Sequence, residues 1–380
     1  MAPSFNNTPS LNRKEIVFDA SSALLHRGTG IGTYTLSLAA ALKEGCGDAV
    51  ELLPPLGPRE EDLFCEGEAA SRPALLGRYL KEHGAKLCHI PQNGIGLPSE
   101  KVSLETVTLH DMIPYVYPET VGRGYLREFL TAMPSILSRV QGVITVSHSA
   151  KEDILRFFDY PETRIAVIPE AAAAHFRPLP KGETAAFLKR SRDLEPGFLL
   201  YVGGFGPRKN VKGLLNAVYL LKKRKRLFGK KLVIVGKLKR EGDELISVRD
   251  ALELENDVVF AGSVNEAELA YFYNGAALFV YPSFYEGFGL PPLEAMACGT
   301  AVVTAANSSL KETFYEAALF CDPFDSGDIA AKIAAVLTND PLKRELELRG
   351  LKRAAAFSWE KTAAATFAFW QKIINGSDSL

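Results

Sequence analysis

Short apolar runs alternate with helical patterns along the chain, and this alternation favours a parallel α/β fold. One run, Leu232–Val235, is continuously apolar, as a strand covered by helices on both faces of a sheet must be. The first half contains further runs at Glu15–Asp19, Lys86–Ile90, Thr106–Leu109, Gly142–Val146 and Ile165–Ile168. The second half contains them at Phe198–Val202, Val258–Ala261, Leu278–Tyr281 and Ala301–Thr304. The spacing suits right-handed helical crossovers, so the sequence predicts two doubly wound domains with parallel sheets.

A proline-rich and charged segment separates the two series of strands. It begins near Arg177 and ends at Glu195-Pro196-Gly197, a composition typical of a connection between domains. A chain of 380 residues also fits two domains at roughly 150 residues each. We therefore divide the chain into an N-terminal domain at 1–180, a C-terminal domain at 181–355 and a terminal segment at 356–380, with a cleft between the two domains.

The overall composition is that of an ordinary soluble protein. The chain has 47% hydrophobic residues, and its 44 basic residues balance 45 acidic ones, so nothing points to nucleic acid as a partner. The N-terminal segment lacks the apolar core of a secretion signal, and no apolar run approaches the roughly 20 residues that span a bilayer. Five cysteines without a C-x-x-C pair predict reduced, buried thiols in a cytoplasmic protein: Cys46, Cys65, Cys88, Cys298 and Cys321.

The segment Tyr281–Val303 carries the strongest functional signal. A predicted strand leads into a glycine-rich loop, and Pro291-Pro292 favour a helix that begins directly after it. The free N–H groups and positive dipole end of such a helix form an anion site. Gly287 and Gly289 would let the backbone approach a bound diphosphate closely. The segment therefore predicts a diphosphate-binding loop.

Two carboxylates, Glu286 and Glu294, flank this loop and are separated by seven residues. Glu294, in the opening turns of the helix, is placed to accept hydrogen bonds from ribose hydroxyls. Glu286 is placed to reach the sugar on the other side of the phosphates. The alternative is that both acids only complement the helix dipole. The complete pattern of strand, glycine-rich loop, Pro-Pro and small-residue helix favours ligand binding.

The second signal is a basic turn, Arg208-Lys209, that follows the first predicted strand of the second half. The carboxyl ends of strands are where open parallel sheets bind their ligands. Two cations at that position would neutralise a diphosphate and stabilise the negative charge that grows on a leaving phosphate. A solvated basic turn is the alternative, and the glycine-rich strand end before it favours ligand binding.

Two features of the first half fit more than one interpretation. His110 follows a predicted strand, where it either faces a ligand or bonds backbone carbonyls. Gly30 and Gly32 depart from the dinucleotide fingerprint, because Thr35 occupies its third glycine position and ten residues separate Asp19 from Gly30. The two glycines either let a loop approach the reacting sugar or its phosphates, or form a plain tight turn.

Two further segments bear on membrane contact. The basic run Lys222–Arg226 fits either an anionic membrane or a solvated helix end, and its place before a predicted strand favours the helix end. The amphipathic segment Arg123–Val140 fits either a helix that contacts a lipid-linked acceptor or one that packs on the domain core. Peripheral contact with the inner face of a membrane is therefore left open.

These motifs resemble glycosyltransferase family 4, a group of retaining enzymes with the GT-B fold, over nearly the whole chain. The marks are the spacing of Glu286 and Glu294, PRKN at Pro207–Asn210, HDMIP from His110, VSHSAKEDI at Val146–Ile154 and the Gly-Ile-Gly of Gly30 to Gly32. The resemblance implies two Rossmann-like domains whose parallel sheets face each other across a cleft. The acceptor would bind on the N-terminal domain and the nucleotide sugar on the C-terminal domain. The segment 356–380 would cross back to pack on the N-terminal domain.

The resemblance also implies roles for individual residues. Glu294 would bind the ribose and Glu286 the transferred sugar. The diphosphate would be held by Arg208 and Lys209, and His110 would contact the sugar near the reaction centre. The implied donor-binding set is Gly30, Gly32, Gly203, Gly204, Gly287, Phe288, Gly289, Leu290 and Glu294.

Two departures from the family pattern affect these assignments. Gly204 stands where many relatives carry an arginine, so the phosphate charge would rest more heavily on Arg208 and Lys209. An Asn-Gly-Val-Asp segment common at the end of the N-terminal domain is replaced by Pro169-Glu170-Ala171-Ala172. The role of Glu170 is therefore open.

The implied activity is transfer of a hexose from a nucleotide sugar to a glycan or lipid-linked acceptor. The sequence has no D-x-D metal motif, and the resemblance implies that neither a metal nor another cofactor is needed. The combined motifs are similar to the branch that uses GDP-mannose for polysaccharide or O-antigen assembly. Two other functions stay open: a nucleotide-sugar epimerase of the GT-B fold, and a non-catalytic subunit that binds nucleotide sugars.

Overall fold

The computed structural model describes residues 15–26, 28–54, 72–238 and 240–377. Contacts between residues divide the chain into two compact units. Unit 1 takes in the described residues of Met1–Glu170 and Phe357–Leu380, and unit 2 is Ala171–Ala356. The chain thus passes between units after Glu170 and after Ala356, whereas the sequence analysis places its boundaries after 180 and 355.

Unit 1 is built on a parallel sheet that has six strands among the described residues. They are β1 (Ile16–Asp19), β2 (Val50–Leu53), β3 (Leu87–Ile90), β4 (Leu104–Leu109), β5 (Gly142–Thr145) and β6 (Ile165–Val167). Their order, β2-β1-β3-β4-β5-β6, reverses direction between β1 and β3. Each pairing of these strands is parallel, which confirms the predicted class. The sequence analysis missed β2, a strand of four residues at the sheet edge.

The helices described before the first unit boundary are α1 (Ser22–Leu25), α2 (Gly30–Cys46), α3 (Arg72–His83), α4 (Ile113–Val116), α5 (Arg123–Arg139) and α6 (His148–Phe157). Helix α2 begins at Gly30 because the Thr29 side chain caps it by accepting a hydrogen bond from the Gly32 N–H. Helix α5 buries one apolar face in the core of unit 1, formed by Phe129, Met133, Ile136 and Leu137. Packing therefore accounts for the amphipathic pattern of α5.

Unit 2 is built on a second parallel sheet, again with six strands among the described residues. They are β7 (Phe198–Val202), β8 (Leu232–Val235), β9 (Val258–Gly262), β10 (Ala276–Tyr281), β11 (Val302–Ala305) and β12 (Leu319–Cys321). All four residues of β8 are buried, as its continuously apolar sequence predicts. The order, β12-β11-β10-β7-β8-β9, reverses between β7 and β10. The sequence analysis missed β12, an edge strand of three residues.

The helices of unit 2 are α7 (Lys181–Arg192), α8 (Val211–Lys223), α9 (Arg240–Ala251), α10 (Glu266–Gly275), α11 (Leu290–Ala297), α12 (Ser308–Thr313), α13 (Ser326–Leu337) and α14 (Asp340–Ala354). Helix α8 is capped by the residue before it, Asn210, which is left-handed with φ of 54° and whose side chain accepts a hydrogen bond from the Gly213 N–H. A Cβ on Gly213 would lie 2.3 Å from the Asn210 Oδ1, so this cap requires glycine there.

The last helix, α15 (Trp359–Ser377), lies in unit 1 and packs against α2. Its Thr362 hydroxyl donates to the Pro169 carbonyl over 2.8 Å. Trp370 is fully buried, and its indole N–H donates to His89 Nδ1 over 3.3 Å. Gly142 leaves room for α15, because a Cβ there would lie 2.7 Å from the Phe369 ring. Helix α15 is therefore part of the core of unit 1.

The described cysteines are free thiols, and three of them are buried: Cys88, Cys298 and Cys321. Burial raises the pKa of the Cys298 thiol to about 12, which makes it a poor nucleophile at neutral pH. Cys65 lies outside the described residues. Within the described parts of the chain, every helix is too short or too polar to cross a bilayer.

Candidate functional site

The candidate site of unit 2 forms where the strand order reverses. Strands β7 and β10 are neighbours there, and the loop after each carries a predicted set of ligand-binding residues. The loops bond to each other: the Phe284 N–H donates to the Arg208 carbonyl over 2.8 Å, and Asn210 Nδ2 donates to the Pro282 carbonyl over 3.1 Å. Open parallel sheets bind ligands at this position, outside the carboxyl ends of their strands.

The Glu286 carboxylate is the centre of this site. Its Oε1 accepts hydrogen bonds from Lys209 Nζ over 2.7 Å, from the Ser283 hydroxyl over 2.6 Å and from the Tyr281 hydroxyl over 3.0 Å. The same oxygen lies 2.9 Å from a guanidinium nitrogen of Arg208. Glu286 is only 7% exposed. The structure thus brings three predicted site residues together: the buried Glu286 and the half-buried Arg208 and Lys209.

The charges of this cluster do not cancel. Burial alone would raise the pKa of Glu286, but Arg208 and Lys209, together with hydrogen bonds to Lys209 and Ser283, outweigh it and hold that pKa at about 2. Glu286 is therefore ionised at neutral pH. Two cations facing one anion give these three side chains a net charge of about +1. Such a surplus suits an anionic ligand.

Glu294 lies on α11 and is held by a different residue from those that hold Glu286. The hydroxyl of the buried Tyr273 donates to Glu294 Oε2 over 2.7 Å. A hydrogen bond to an ionised carboxylate is stronger than one between neutral groups, so Tyr273 fixes the orientation of Glu294 effectively.

Tyr273 belongs to a row of buried rings beneath the site. The ring centroids of Tyr201 and Tyr281 are 5.8 Å apart, those of Tyr281 and Phe279 are 5.9 Å apart, and those of Phe279 and Tyr273 are 5.5 Å apart. The Tyr201 hydroxyl donates to the Gly204 carbonyl over 2.7 Å. The three tyrosine hydroxyls in this row therefore hold the Gly204 backbone, Glu286 and Glu294.

Packing and backbone geometry account for several residues of the glycine-rich loop. Gly289 has φ of 106°, and a Cβ there would lie 2.7 Å from the Leu310 side chain. Phe288 and Leu290 are buried, and the Ser309 hydroxyl donates to the Glu286 carbonyl over 2.8 Å. Close approach of Gly287 and Gly289 to a diphosphate stays a prediction.

The remaining glycines of the predicted donor set lie in two places. The Gly203 N–H donates to the Val235 carbonyl over 3.0 Å and so continues the pairing of β7 with β8. A Cβ built on Gly204 or on Gly30 would meet no heavy atom within 4 Å among the described residues, apart from the adjoining backbone. In unit 1, Gly30 and Gly32 belong to the first turn of α2, whereas the sequence analysis expects a loop or a tight turn there.

Sequence reasoning missed several residues that build the site of unit 2. Ser283 and Tyr281 bond the Glu286 carboxylate, Ser308 Oγ accepts from the Glu286 N–H over 3.0 Å, and Tyr273 bonds Glu294. Their common signal is position, because Tyr281 ends β10, Ser283 follows it and Ser308 follows the adjacent strand β11. Tyr273 carries no such signal, because it lies within α10.

Unit 1 holds His110 directly after β4, and the residue is 7% exposed. Its Nδ1 lies 3.0 Å from Glu170 Oε1, and its Nε2 lies 2.9 Å from the Pro91 carbonyl oxygen. The His110 N–H donates to Asn93 Oδ1 over 3.0 Å, and the Tyr34 ring packs edge-on against the imidazole with centroids 4.6 Å apart. The structure thus gives Glu170, whose role the sequence leaves open, a partner.

Among the side chains that the structure describes, no group of three or more His, Cys, Asp or Glu is arranged to hold a metal ion. The expectation that the chemistry needs no metal or other cofactor stays a prediction.

The known proteins that are similar in sequence to this chain are glycosyltransferases. The family model described as "Glycosyl transferases group 1" matches residues 184–353. The O-antigen chain mannosyltransferase B of Escherichia coli is 32% identical over 308 residues, which are 81% of this chain and 80% of that protein. The serotype-specific mannosyltransferase WbdA of Escherichia coli is 30% identical over 297 residues, which are 76% of this chain but only 36% of WbdA.

Solved structures share the fold at lower sequence identity. Sucrose-phosphate synthase from Thermosynechococcus elongatus aligns with a TM-score of 0.77 and 23% identity, covering 96% of this chain and 100% of that one. WaaG, a glycosyltransferase involved in lipopolysaccharide biosynthesis, aligns with a TM-score of 0.70 and 17% identity, covering 95% of this chain and 100% of that one. At sequence identities of 23% and 17%, these similarities show a shared fold alone.

Proposed function

The chain belongs to the glycosyl transferase group 1 family of GT-B glycosyltransferases, and we propose that it is a retaining mannosyltransferase that uses GDP-mannose. The acceptor is a hydroxyl of a glycan or lipid-linked saccharide. Support for mannose comes from the relatives, which are described as O-antigen and serotype-specific mannosyltransferases. The base, the acceptor and the retention of configuration are parts of the proposal.

One observation carries the proposal: Arg208 and Lys209 meet the buried Glu286 carboxylate in a cluster of net charge about +1 at the point where the sheet order reverses. A donor diphosphate would bind to the two cations. As the bond between sugar and phosphate breaks, negative charge grows on the leaving phosphate. Fixed cations then stabilise the transition state more than the ground state, which accelerates the transfer.

In this proposal, Glu294 and Glu286 bind different parts of the donor. Glu294, held by Tyr273, accepts hydrogen bonds from the ribose hydroxyls. Glu286 accepts hydrogen bonds from hydroxyls of the mannose. The acceptor hydroxyl attacks the anomeric carbon from the face that the phosphate leaves, and the departing phosphate oxygen takes the hydroxyl proton. No side chain needs to act as a nucleophile.

A panel of GDP-, UDP- and ADP-sugars tests the donor by thermal shift. A donor at 100 times its dissociation constant should add about 2.7 kcal/mol to stability. We expect the largest shift with GDP-mannose, and a larger shift with a UDP- or ADP-sugar would contradict the proposed donor.

Release of nucleotide tests the reaction itself. Transfer predicts that GDP is released only when an acceptor is present, and NMR of the product should show the same anomeric configuration as the donor. A nucleotide sugar that changes configuration without any acceptor would instead identify an epimerase. Binding without turnover would identify a non-catalytic subunit.

A further inference from the structure

Two buried histidines of unit 1 face opposite kinds of hydrogen-bond partner. His89 Nδ1 accepts a hydrogen bond from the indole N–H of Trp370, a group that can only donate. The proton of His89 therefore belongs on Nε2, which lies 3.0 Å from the Thr108 hydroxyl. Burial, with the nearby charge of His110, lowers the pKa of His89 to about 3. His89 is thus a neutral ring.

His110 faces two groups that can only accept when the carboxylate is ionised. Its Nε2 is 2.9 Å from the Pro91 carbonyl oxygen, and its Nδ1 is 3.0 Å from a Glu170 carboxylate oxygen. A neutral imidazole carries a single N–H and satisfies one of them. Both contacts are hydrogen bonds only if the pair holds one additional proton. Imidazole is more basic than a carboxylate, so that proton rests on the ring.

The surrounding charges act in the same direction. Burial disfavours the charged ring, but the hydrogen bond and negative charge of Glu170 outweigh burial and raise the pKa of His110. The Pro91 carbonyl and Asp111 add to this effect. On the opposing side, His89 stays neutral, and burial keeps the adjacent Tyr34 phenol protonated by raising its pKa.

We propose that Glu170 is a positioning residue that keeps His110 as an imidazolium and ties the ends of three strands together. Pro91 follows β3, His110 follows β4 and Glu170 follows β6, so the ring joins three loops at the carboxyl edge of the sheet. An imidazolium with both N–H groups bonded cannot serve as a general base. His110 therefore acts through its charge and its hold on the loops.

NMR of the full chain labelled with ¹⁵N-histidine tests the protonation directly. Two protonated ring nitrogens resonate close together, whereas the nitrogens of a neutral ring are widely separated. At neutral pH we expect close signals from His110, identified by their loss in His110→Asn, and separated signals from His89, identified by contact with the Trp370 ring. Separated His110 signals in the wild type would overturn the proposal.

Glu170→Gln separates the charge from the hydrogen bonds. The glutamine amide can donate to Nδ1 of a neutral His110 while Nε2–H still bonds the Pro91 carbonyl. We expect the His110 ring to become neutral at neutral pH in this variant, with the pKa of the ring lowered. Close His110 signals that persist in Glu170→Gln would show that Glu170 does not set the charge. Glu162→Gln is the matched control, because its exposed carboxylate pairs only with Lys151 among the ion pairs described.

The activity readout rests on the proposed function. We expect Glu170→Gln to lower kcat about tenfold at neutral pH, equivalent to one pKa unit of lost interaction, and to recover activity as the pH falls and the ring is protonated. An equal loss at every pH would contradict the role of the charge. If the wild type transfers no sugar, the proposed function fails, while the NMR spectra still decide the protonation of His110.

Discussion

Each unit holds an ion cluster around a buried side chain at the carboxyl edge of a parallel sheet, but the clusters differ in charge. In unit 2, the Glu286 carboxylate is bonded by two cations, Arg208 and Lys209. In unit 1, the His110 ring is bonded by a single carboxylate, that of Glu170. The three side chains of the first cluster therefore carry a net charge of about +1, whereas the charges of His110 and Glu170 sum to zero when the ring is protonated. A site that binds a diphosphate needs more positive than negative side chains. A site that keeps a histidine protonated needs one carboxylate beside the ring.

Burial makes it costly in free energy to remove one charged side chain from either cluster. Removing one partner of a buried ion pair leaves an uncompensated charge and costs about 3–5 kcal/mol. In unit 2, a bound diphosphate can take over part of the role of Glu286 as partner to the cations. We therefore expect a bound ligand to change the stability of unit 2 more than that of unit 1.

The largest effect is expected from Glu286→Ala, which should reduce transfer by about 10²–10³-fold. The change removes the proposed contact with the sugar and removes the carboxylate that Arg208 and Lys209 share. Acceptor-dependent product formation measures the loss, and far-UV circular dichroism checks that the fold is retained. Glu286→Gln, which keeps an acceptor for the Ser283 and Tyr281 hydroxyls, should lose less. If Glu286→Ala turned over like the wild type, the assignment of Glu286 to the active site would be wrong.

A smaller effect concerns stability in acid. The pKa of Glu286 is lowered from 4.5 to about 2 in the folded protein. Because a lowered pKa stabilises the folded state above the unfolded-state value, this contribution is present above pH 4.5 and is lost as the pH falls to about 2. The contribution is up to about 3 kcal/mol.

Urea unfolding between pH 7 and pH 2 measures that contribution. The difference in stability between the wild type and Glu286→Gln should shrink as the pH falls. A difference that stays constant over this range would show that the charge of Glu286 does not stabilise the fold.

How much of this site the sequence can predict depends on the kind of contact. The acidic motif and the basic turn are readable because each follows a predicted strand. Their meeting is harder to predict, because Lys209 and Glu286 are 77 residues apart and only the adjacency of β7 and β10 brings them together. The pairing of His110 with Glu170, across 60 residues, depends on which way two side chains point at the sheet edge. No local pattern encodes that direction.

The strands of the fold likewise differ in how well the local sequence predicts them. Strands inside the sheets, such as β7 and β8, are predicted to the residue because they are continuously apolar. Strands β2 and β12 were missed although β6, also a short edge strand, was predicted. Glu51 interrupts the apolar run of β2, and β12 is defined by its pairing with β11. Tertiary context thus decides the elements that local pattern leaves open.

The smallest of the predicted effects is that of Tyr273→Phe. It removes one hydroxyl, and a hydrogen bond to a charged group is worth about 1.5–3 kcal/mol. We expect the KM for the donor to rise about tenfold or more while kcat changes little, because the proposed function assigns Glu294 to the ribose rather than to the reacting bond. Tyr271→Phe is a matched control on the same helix, since its hydroxyl bonds the exposed Glu183. Equal KM values for the two variants would contradict the role of Tyr273.

The central claim, that the surplus cation of unit 2 binds the donor diphosphate, is tested most directly by calorimetric titration of GDP into Lys209→Met. Lys212→Met is the control, because Lys212 is an exposed lysine on the following helix. We predict that Lys209→Met weakens GDP binding about tenfold or more, since a charge-assisted bond to phosphate is lost, and that Lys212→Met binds like the wild type. Equal affinity of all three proteins for GDP would contradict the claim.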